Sequence, residues 1–164
     1  MEEAKKVVET LTAARRTVAF AESCTGGLLT KLITDIPGAS AVLRGGVCAY
    51  ANEVKRGVLS VPQRLLDDYG AVSRPVALHM ARGVRALMGT DIGVGTTGIA
   101  GPASDDTEKP VGLVYVALAL PGGRYVVREL RLDGDRDAIR QETARQALSL
   151  LLEQRAFFAE NIAF

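Results

Sequence analysis

The 164 residues of the chain allow one domain, taken as residues 1–164, and leave little room for a second. Hydrophobic residues at 48% and charged residues at 24% suit a soluble fold with a core, and a net charge of +1 argues against a chain that mainly grips nucleic acid. No apolar run approaches the roughly 18–20 uncharged residues of a membrane span, the charged start Met1-Glu2-Glu3-Ala4-Lys5-Lys6 lacks a signal-peptide core, and Cys24 and Cys48 suit a reducing cytoplasm better than a disulfide framework.

The opening stretch puts Val7, Val8 and Leu11 on one helical face, with Lys5, Lys6 and Glu9 largely on the other. Residues 17–21 read as a short buried strand that runs into Glu22-Ser23-Cys24-Thr25-Gly26-Gly27, and Leu28 to Thr34 reads as helix. Pro37-Gly38 breaks the chain before a second strand over residues 41–50. Asn52 is placed to cap a short helix carrying Glu53 and Lys55, and Pro62 opens another that Gly70 ends. Ser73-Arg74-Pro75 starts a longer helix to about Met88, with Ser73 as its cap. Residues 91–97 form the third strand, and residues 111–120 and 125–132 form two more, joined by Pro121-Gly122-Gly123 as a hairpin. A closing helix is expected over residues 135–158. The alternation implies an α/β fold: three α/β/α layers around a mixed sheet of about five strands, with helices on both faces.

Small and polar residues gather at predicted strand ends, where ligands of open α/β sheets bind beside helix N-termini. In the passage 21–27, unpaired amides of the following helix would face an anion, and the paired glycines would let a ligand come close. Ser23 there could attack a carbonyl whose oxyanion those amides stabilise. Equally, Ser23 or Thr25 could be no more than a helix cap. The sole histidine, His79, lies mid-helix between Leu78 and Met80 and makes a poor base for a triad. A lysine of lowered pKa can replace it, and Tyr50 with Lys55 would bring a phenol and an amine to one pocket, Lys55 being expected to be accessible rather than core. A surface lysine and a packed tyrosine fit the same spacing. Cys24, near a helix start, is a rival nucleophile; Cys48, in an apolar strand, is read as inert.

Gly93-Val94-Gly95-Thr96-Thr97-Gly98 spells G-x-G-x-x-G, but the glycines fall inside the strand and a polar loop follows, so a dinucleotide site is rejected and Thr97 is kept as a ligand contact. Asp105, Asp106 and Glu108 read as a solvated loop rather than a metal site. Asp135 or Asp137 suits the last helix start; Arg136 there runs against the dipole and points to a phosphate or carboxylate partner.

Taken together, 21–27, Ala49-Tyr50-Ala51-Asn52-Glu53-Val54-Lys55, Gly70-Ala71-Val72-Ser73, Thr97-Gly98-Ile99-Ala100-Gly101-Pro102, Lys109-Pro110-Val111-Gly112 and Gly134-Asp135-Arg136 resemble, in that order, the CinA C-terminal domain family. The resemblance runs from about Glu3 to Leu152 and is read as a stand-alone form of the domain. It implies a nicotinamide mononucleotide amidohydrolase of pyridine nucleotide recycling, with no metal, no cofactor and a homo-oligomeric state, dimer or larger. It implies Ser23 as nucleophile, Lys55 as its base, and Tyr50 in proton transfer or positioning. Thr25, Gly26, Gly27, Ser40, Thr97, Gly98 and Gly101 would contact substrate, and Arg136 its phosphate. The chain departs from the family at Ala103-Ser104-Asp105-Asp106, where glycines are common, and at Ala51, where many members have Ser. An alternative function is a nucleotide-binding or competence/damage-associated module without turnover.

Overall fold

The computed structural model describes residues 2–104 and 108–159. In chain order the elements are α1 (Glu2–Ala13), β1 (Val18–Glu22), α2 (Leu28–Thr34), a 3-10 turn (Ala39–Ala41), β2 (Leu43–Cys48), α3 (Asn52–Gly57), α4 (Gln63–Tyr69), α5 (Arg74–Met88), β3 (Ile92–Gly98), β4 (Leu113–Ala119), β5 (Tyr125–Arg131), α6 (Arg136–Glu153) and α7 (Arg155–Ala159). The five strands form one sheet in the order β2-β1-β3-β4-β5. β1 lies parallel to β2 and β3, β4 is antiparallel to β3, and β5 is antiparallel to β4. The three-layer mixed α/β architecture expected from the sequence is therefore present.

The strands owe their two faces to an alternation of large and small residues. Val18 and Phe20, Ile92 and Val94, and Val114, Val116 and Leu118 pack under Val7 and Leu11 of α1, Leu29 and Ile33 of α2, and Ile139, Leu148 and Leu151 of α6. The intervening Ala19 and Ala21 face Val76, Met80 and Val84 of α5, and Ala117 and Ala119 face Ala77 and Ala81. Gly93 and Gly95 complete this thin face. A Cβ on Gly93 would stand 2.0 Å from the Ala81 carbonyl oxygen, and one on Gly95 2.4 Å from that of Ala77. The G-x-G spelling thus serves the close approach of α5 to the sheet rather than a dinucleotide.

Several local expectations need correcting. Asn52 is the first residue of α3, behind an extended Ala51 at the cap position. Ser73 holds the cap position of α5 but makes no cap hydrogen bond; its hydroxyl donates to the Gly70 carbonyl. The closing helix is interrupted at Gln154, so 135–158 is two helices. Asp135 does cap α6, its carboxylate accepting from the Ala138 amide.

Candidate active site

The parallel strands β1, β2 and β3 all end at one edge of the sheet, and the residues after them form a cleft of about 350 Å³. Ser23 and Cys24 line it after β1, Tyr50, Asn52 and Lys55 after β2, Thr97, Gly98 and Ala100 at and after β3, and Arg136 at the start of α6. Its size is that of a small-molecule site.

Lys55 sits one turn into α3, and helical side chains lean toward the helix N-terminus, so its amine doubles back to the strand end. There Nζ donates to the Tyr50 carbonyl at 3.0 Å and to Ser23 Oγ at 3.1 Å. Lys55 is 1% exposed, which corrects the expectation of an accessible lysine. Burial disfavours its charged form and holds the amine below its ordinary pKa, against weaker opposing pulls from Cys24 and Glu53.

Ser23 follows β1 directly, its amide donating to the Thr96 carbonyl. Gly26 at φ +58° and Gly27 at φ +94° then turn the chain through two left-handed residues into α2. The cap of α2 is neither Ser23 nor Thr25. Glu22, 1% exposed, accepts from the amides of Gly27, Leu29 and Thr30 and from the Thr30 hydroxyl. The helix N-terminus expected to receive an anion is already taken by a carboxylate of the chain itself. The Thr25 hydroxyl is buried against that of Thr96 at 2.8 Å, away from the cleft lining.

Cys24 is buried, and its thiol is pushed up to about 12 by desolvation, so it stays protonated and makes a weak nucleophile. Cys48, read as inert in an apolar strand, is exposed on the edge strand β2. His79 is half-buried on α5, outside the cleft, where burial, Arg82 and Arg64 all lower its pKa.

Tyr50 meets Lys55 through its carbonyl, while its phenol accepts from Arg136 at 3.2 Å. The same guanidinium donates to the Gly101 carbonyl at 2.7 Å, which ties the start of α6 to the segment after β3. The Thr97 hydroxyl donates to the Ala71 carbonyl. Ser40 is not brought to the cleft: it lies in the 3-10 turn before β2, at the opposite end of the sheet, on a shallow depression with Thr34, Ile36 and Leu43.

Two residues at the site had no role in the sequence reading. Glu22 stands inside the quoted motif, yet a strand-end glutamate carries no sign that it caps the next helix. Arg140, on α6, donates from Nε to the Cys24 carbonyl at 3.1 Å and from Nη2 to the Thr25 carbonyl at 3.0 Å. Its one signal was its place a helical turn after Arg136. Among the described residues no group of three or more His, Cys, Asp or Glu side chains could hold a metal ion; Asp105 and Asp106 lie outside the described residues. No described helix is long and apolar enough to cross a membrane.

A model of the CinA C-terminal domain matches residues 1–155. A CinA-like protein of Anaeromyxobacter sp. (strain Fw109-5) is 54% identical over 145 residues, covering 88% of this chain and 35% of the relative, and a CinA-like protein of Gemmatimonas aurantiaca is 53% identical over 144 residues, covering 88% and 33%. The chain spans about a third of the length of the curated relatives it matches. Among solved structures, the competence/damage inducible protein CihA from Agrobacterium tumefaciens superposes with a TM-score of 0.89 at 41% identity, covering 93% of each chain. The competence damage-inducible protein A (ComA) from Klebsiella pneumoniae gives a TM-score of 0.92 at 32% identity, covering 94% of this chain and 96% of the other.

Proposed function

Because the chain belongs to the CinA C-terminal domain family, we propose that it is a nicotinamide-nucleotide amidohydrolase, which converts nicotinamide mononucleotide and water to nicotinate mononucleotide and ammonia. The observation that carries this reading is the buried contact of Lys55 Nζ with Ser23 Oγ at 3.1 Å on the wall of the cleft. A serine hydroxyl is inert until a base takes its proton, and a desolvated lysine is such a base.

In its neutral form Lys55 keeps an N–H on the Tyr50 carbonyl and offers its lone pair to the Ser23 hydroxyl. Ser23 Oγ bonds to the carboxamide carbon as its proton passes to Lys55. The amides of Cys24 and Thr25, which donate to no carbonyl among the described residues, are the backbone donors next to Ser23 in sequence and are assigned to the oxyanion. Collapse breaks the C–N bond; Lys55 returns the proton to the leaving nitrogen, and ammonia departs from an ester on Ser23. Water, giving a proton to Lys55, then attacks the ester, the carbon–Oγ bond breaks, and Ser23 recovers its hydrogen. Arg136 supplies the cation for the nucleotide phosphate, and binding there positions the amide for attack. Tyr50 serves by holding Lys55 with its carbonyl and Arg136 with its phenol. A cytoplasmic setting, which keeps both free thiols reduced, belongs to the same reading, as does a homo-oligomer, for which the sheet leaves two edges, β2 and β5.

The test is ammonia release from nicotinamide mononucleotide by the purified chain beside Ser23→Ala. Release by the wild type alone supports the reading. Binding of the nucleotide with no release by the wild type would replace it with a binding or competence/damage-associated module.

A further inference from the structure

We propose that Arg140 and Glu22 are positioning residues that clamp the 23–27 turn, one by its carbonyls and the other by its last amide, and so set where the Ser23 hydroxyl stands relative to Lys55. The inference deepens the reading of Ser23 as nucleophile and rests on it.

The turn has little to hold it by itself. Two consecutive left-handed glycines give it conformational freedom, and within it the backbone closes only the bonds from Gly26 to the Ser23 carbonyl and from Leu28 to the Thr25 carbonyl. Outside groups hold it further, the hydroxyl of Thr96 on that of Thr25 among them. Glu22 gathers the last amide of the turn, that of Gly27, and those of Leu29 and Thr30 beyond it, at 2.8 to 3.0 Å. Arg140 gathers the Cys24 and Thr25 carbonyls within it, both along the Nε–Nη2 edge of its planar guanidinium. Its reach is tertiary, since it comes from α6, 116 residues beyond Cys24. Asp137, 4.0 Å from the guanidinium, steadies it from the same helix. Ser23 is thus anchored behind by its amide on Thr96 and ahead by a turn held at the Gly27 amide and at the Cys24 and Thr25 carbonyls. Catalytic side chains must be held within about 0.5 Å of productive geometry, and here that demand falls on a diglycine turn.

Arg140 gives the sharper test, because it lies part-buried on an outer helix. The readout is the rate at which phenylmethanesulfonyl fluoride, a small reagent that needs no nucleotide site, modifies Ser23. Oγ bonds to sulfur, fluoride leaves and the hydroxyl proton goes to Lys55. Intact-mass spectrometry would follow this in wild type, Arg140→Ala, Arg140→Lys and Lys55→Ala, with thermal melting in parallel. Arg140→Ala should label about tenfold more slowly or worse, since a displacement of about 1 Å can cost on the order of 100-fold. Its melting temperature should stay near that of the wild type, and kcat should fall at unchanged KM. Arg140→Lys should recover part of the rate, as an ammonium serves one carbonyl at a time. Equal labelling of wild type and Arg140→Ala would overturn the clamp. Wild-type Ser23 labelling no faster than in Lys55→Ala would instead remove the nucleophile reading, and the clamp with it. Glu22→Gln, which turns an amide N–H toward backbone N–H groups, should slow labelling as well; if it fails to fold, the Arg140 pair still decides.

Discussion

Lys55 Nζ lies 3.1 Å from Ser23 Oγ, at the end of a side chain that is 1% exposed. Its two hydrogen-bond partners are a hydroxyl and a carbonyl, neither of them a carboxylate. The pulls of Cys24 and Glu53 repay an ammonium for only part of its lost water, so the amine is held below its ordinary pKa.

Turnover should therefore rise with pH as Lys55 loses its proton, and Lys55→Met should abolish ammonia release while making the fold more stable. The folded pKa lies below the unfolded one. Between the two values the unfolded chain holds a proton that the folded chain does not, so wild-type stability climbs with pH across that window. Below it the full cost of burying charge applies, and the Met variant should gain most there. Urea midpoints of both proteins over a pH series would show it; parallel curves would mean that Lys55 titrates normally.

The two cysteines should separate cleanly in a labelling experiment. Cys48 is exposed, whereas Cys24 is buried with its thiol pushed up to about 12. Iodoacetamide should modify Cys48 in the native protein and Cys24 only after denaturation, as read by peptide mass spectrometry. Cys24→Ala should keep releasing ammonia. Fast native labelling of Cys24 together with an inactive Cys24→Ala would reinstate the thiol as nucleophile.

Tyr50→Phe removes the phenol on Arg136 and leaves the carbonyl on Lys55 in place. We expect kcat to stay within about threefold, with the effect appearing in KM, because a group in the proton path contributes roughly 100- to 10,000-fold. Steady-state kinetics decide, and a hundredfold fall in kcat would put the phenol in that path.

Gly95→Ala should destabilise the protein by roughly 1–3 kcal/mol, the usual range for overpacking. Its new methyl would meet the Ala77 carbonyl oxygen at 2.4 Å and the Ala81 amide nitrogen at 2.9 Å, both backbone atoms that move only if α5 lifts off the sheet. Urea denaturation measures it, and an unchanged midpoint would show that α5 has slack.

The sheet was readable because Val18-Ala19-Phe20-Ala21 and Ile92-Gly93-Val94-Gly95 state their two faces in the order of their side-chain sizes. Ser23, Lys55 and Arg136 could be named as candidates because strand ends and a helix start are local features. The burial of Lys55 was not legible: short polar helices are usually solvated, and its inward turn depends on a serine 32 positions earlier. The bond of Arg140 to the turn has the same character, resting on how α6 lies across the molecule. Glu22 was hidden differently, since its carboxylate folds forward over a helix whose own first residues hold no capping side chain. The break at Gln154 has no proline or glycine to announce it.

The occupation of the α2 N-terminus by Glu22 also gives the cleft an electrical direction. Its inner wall, beside Ser23, backs onto a buried carboxylate, while Arg136 brings a guanidinium to the side where Tyr50 stands exposed. An elongated ligand with a neutral amide at one end and an anion at the other then fits one way round, amide inward. On the proposed reading, discrimination between a nucleotide and its dephosphorylated nucleoside would fall to the rim, where selectivity could change without disturbing Ser23 and Lys55.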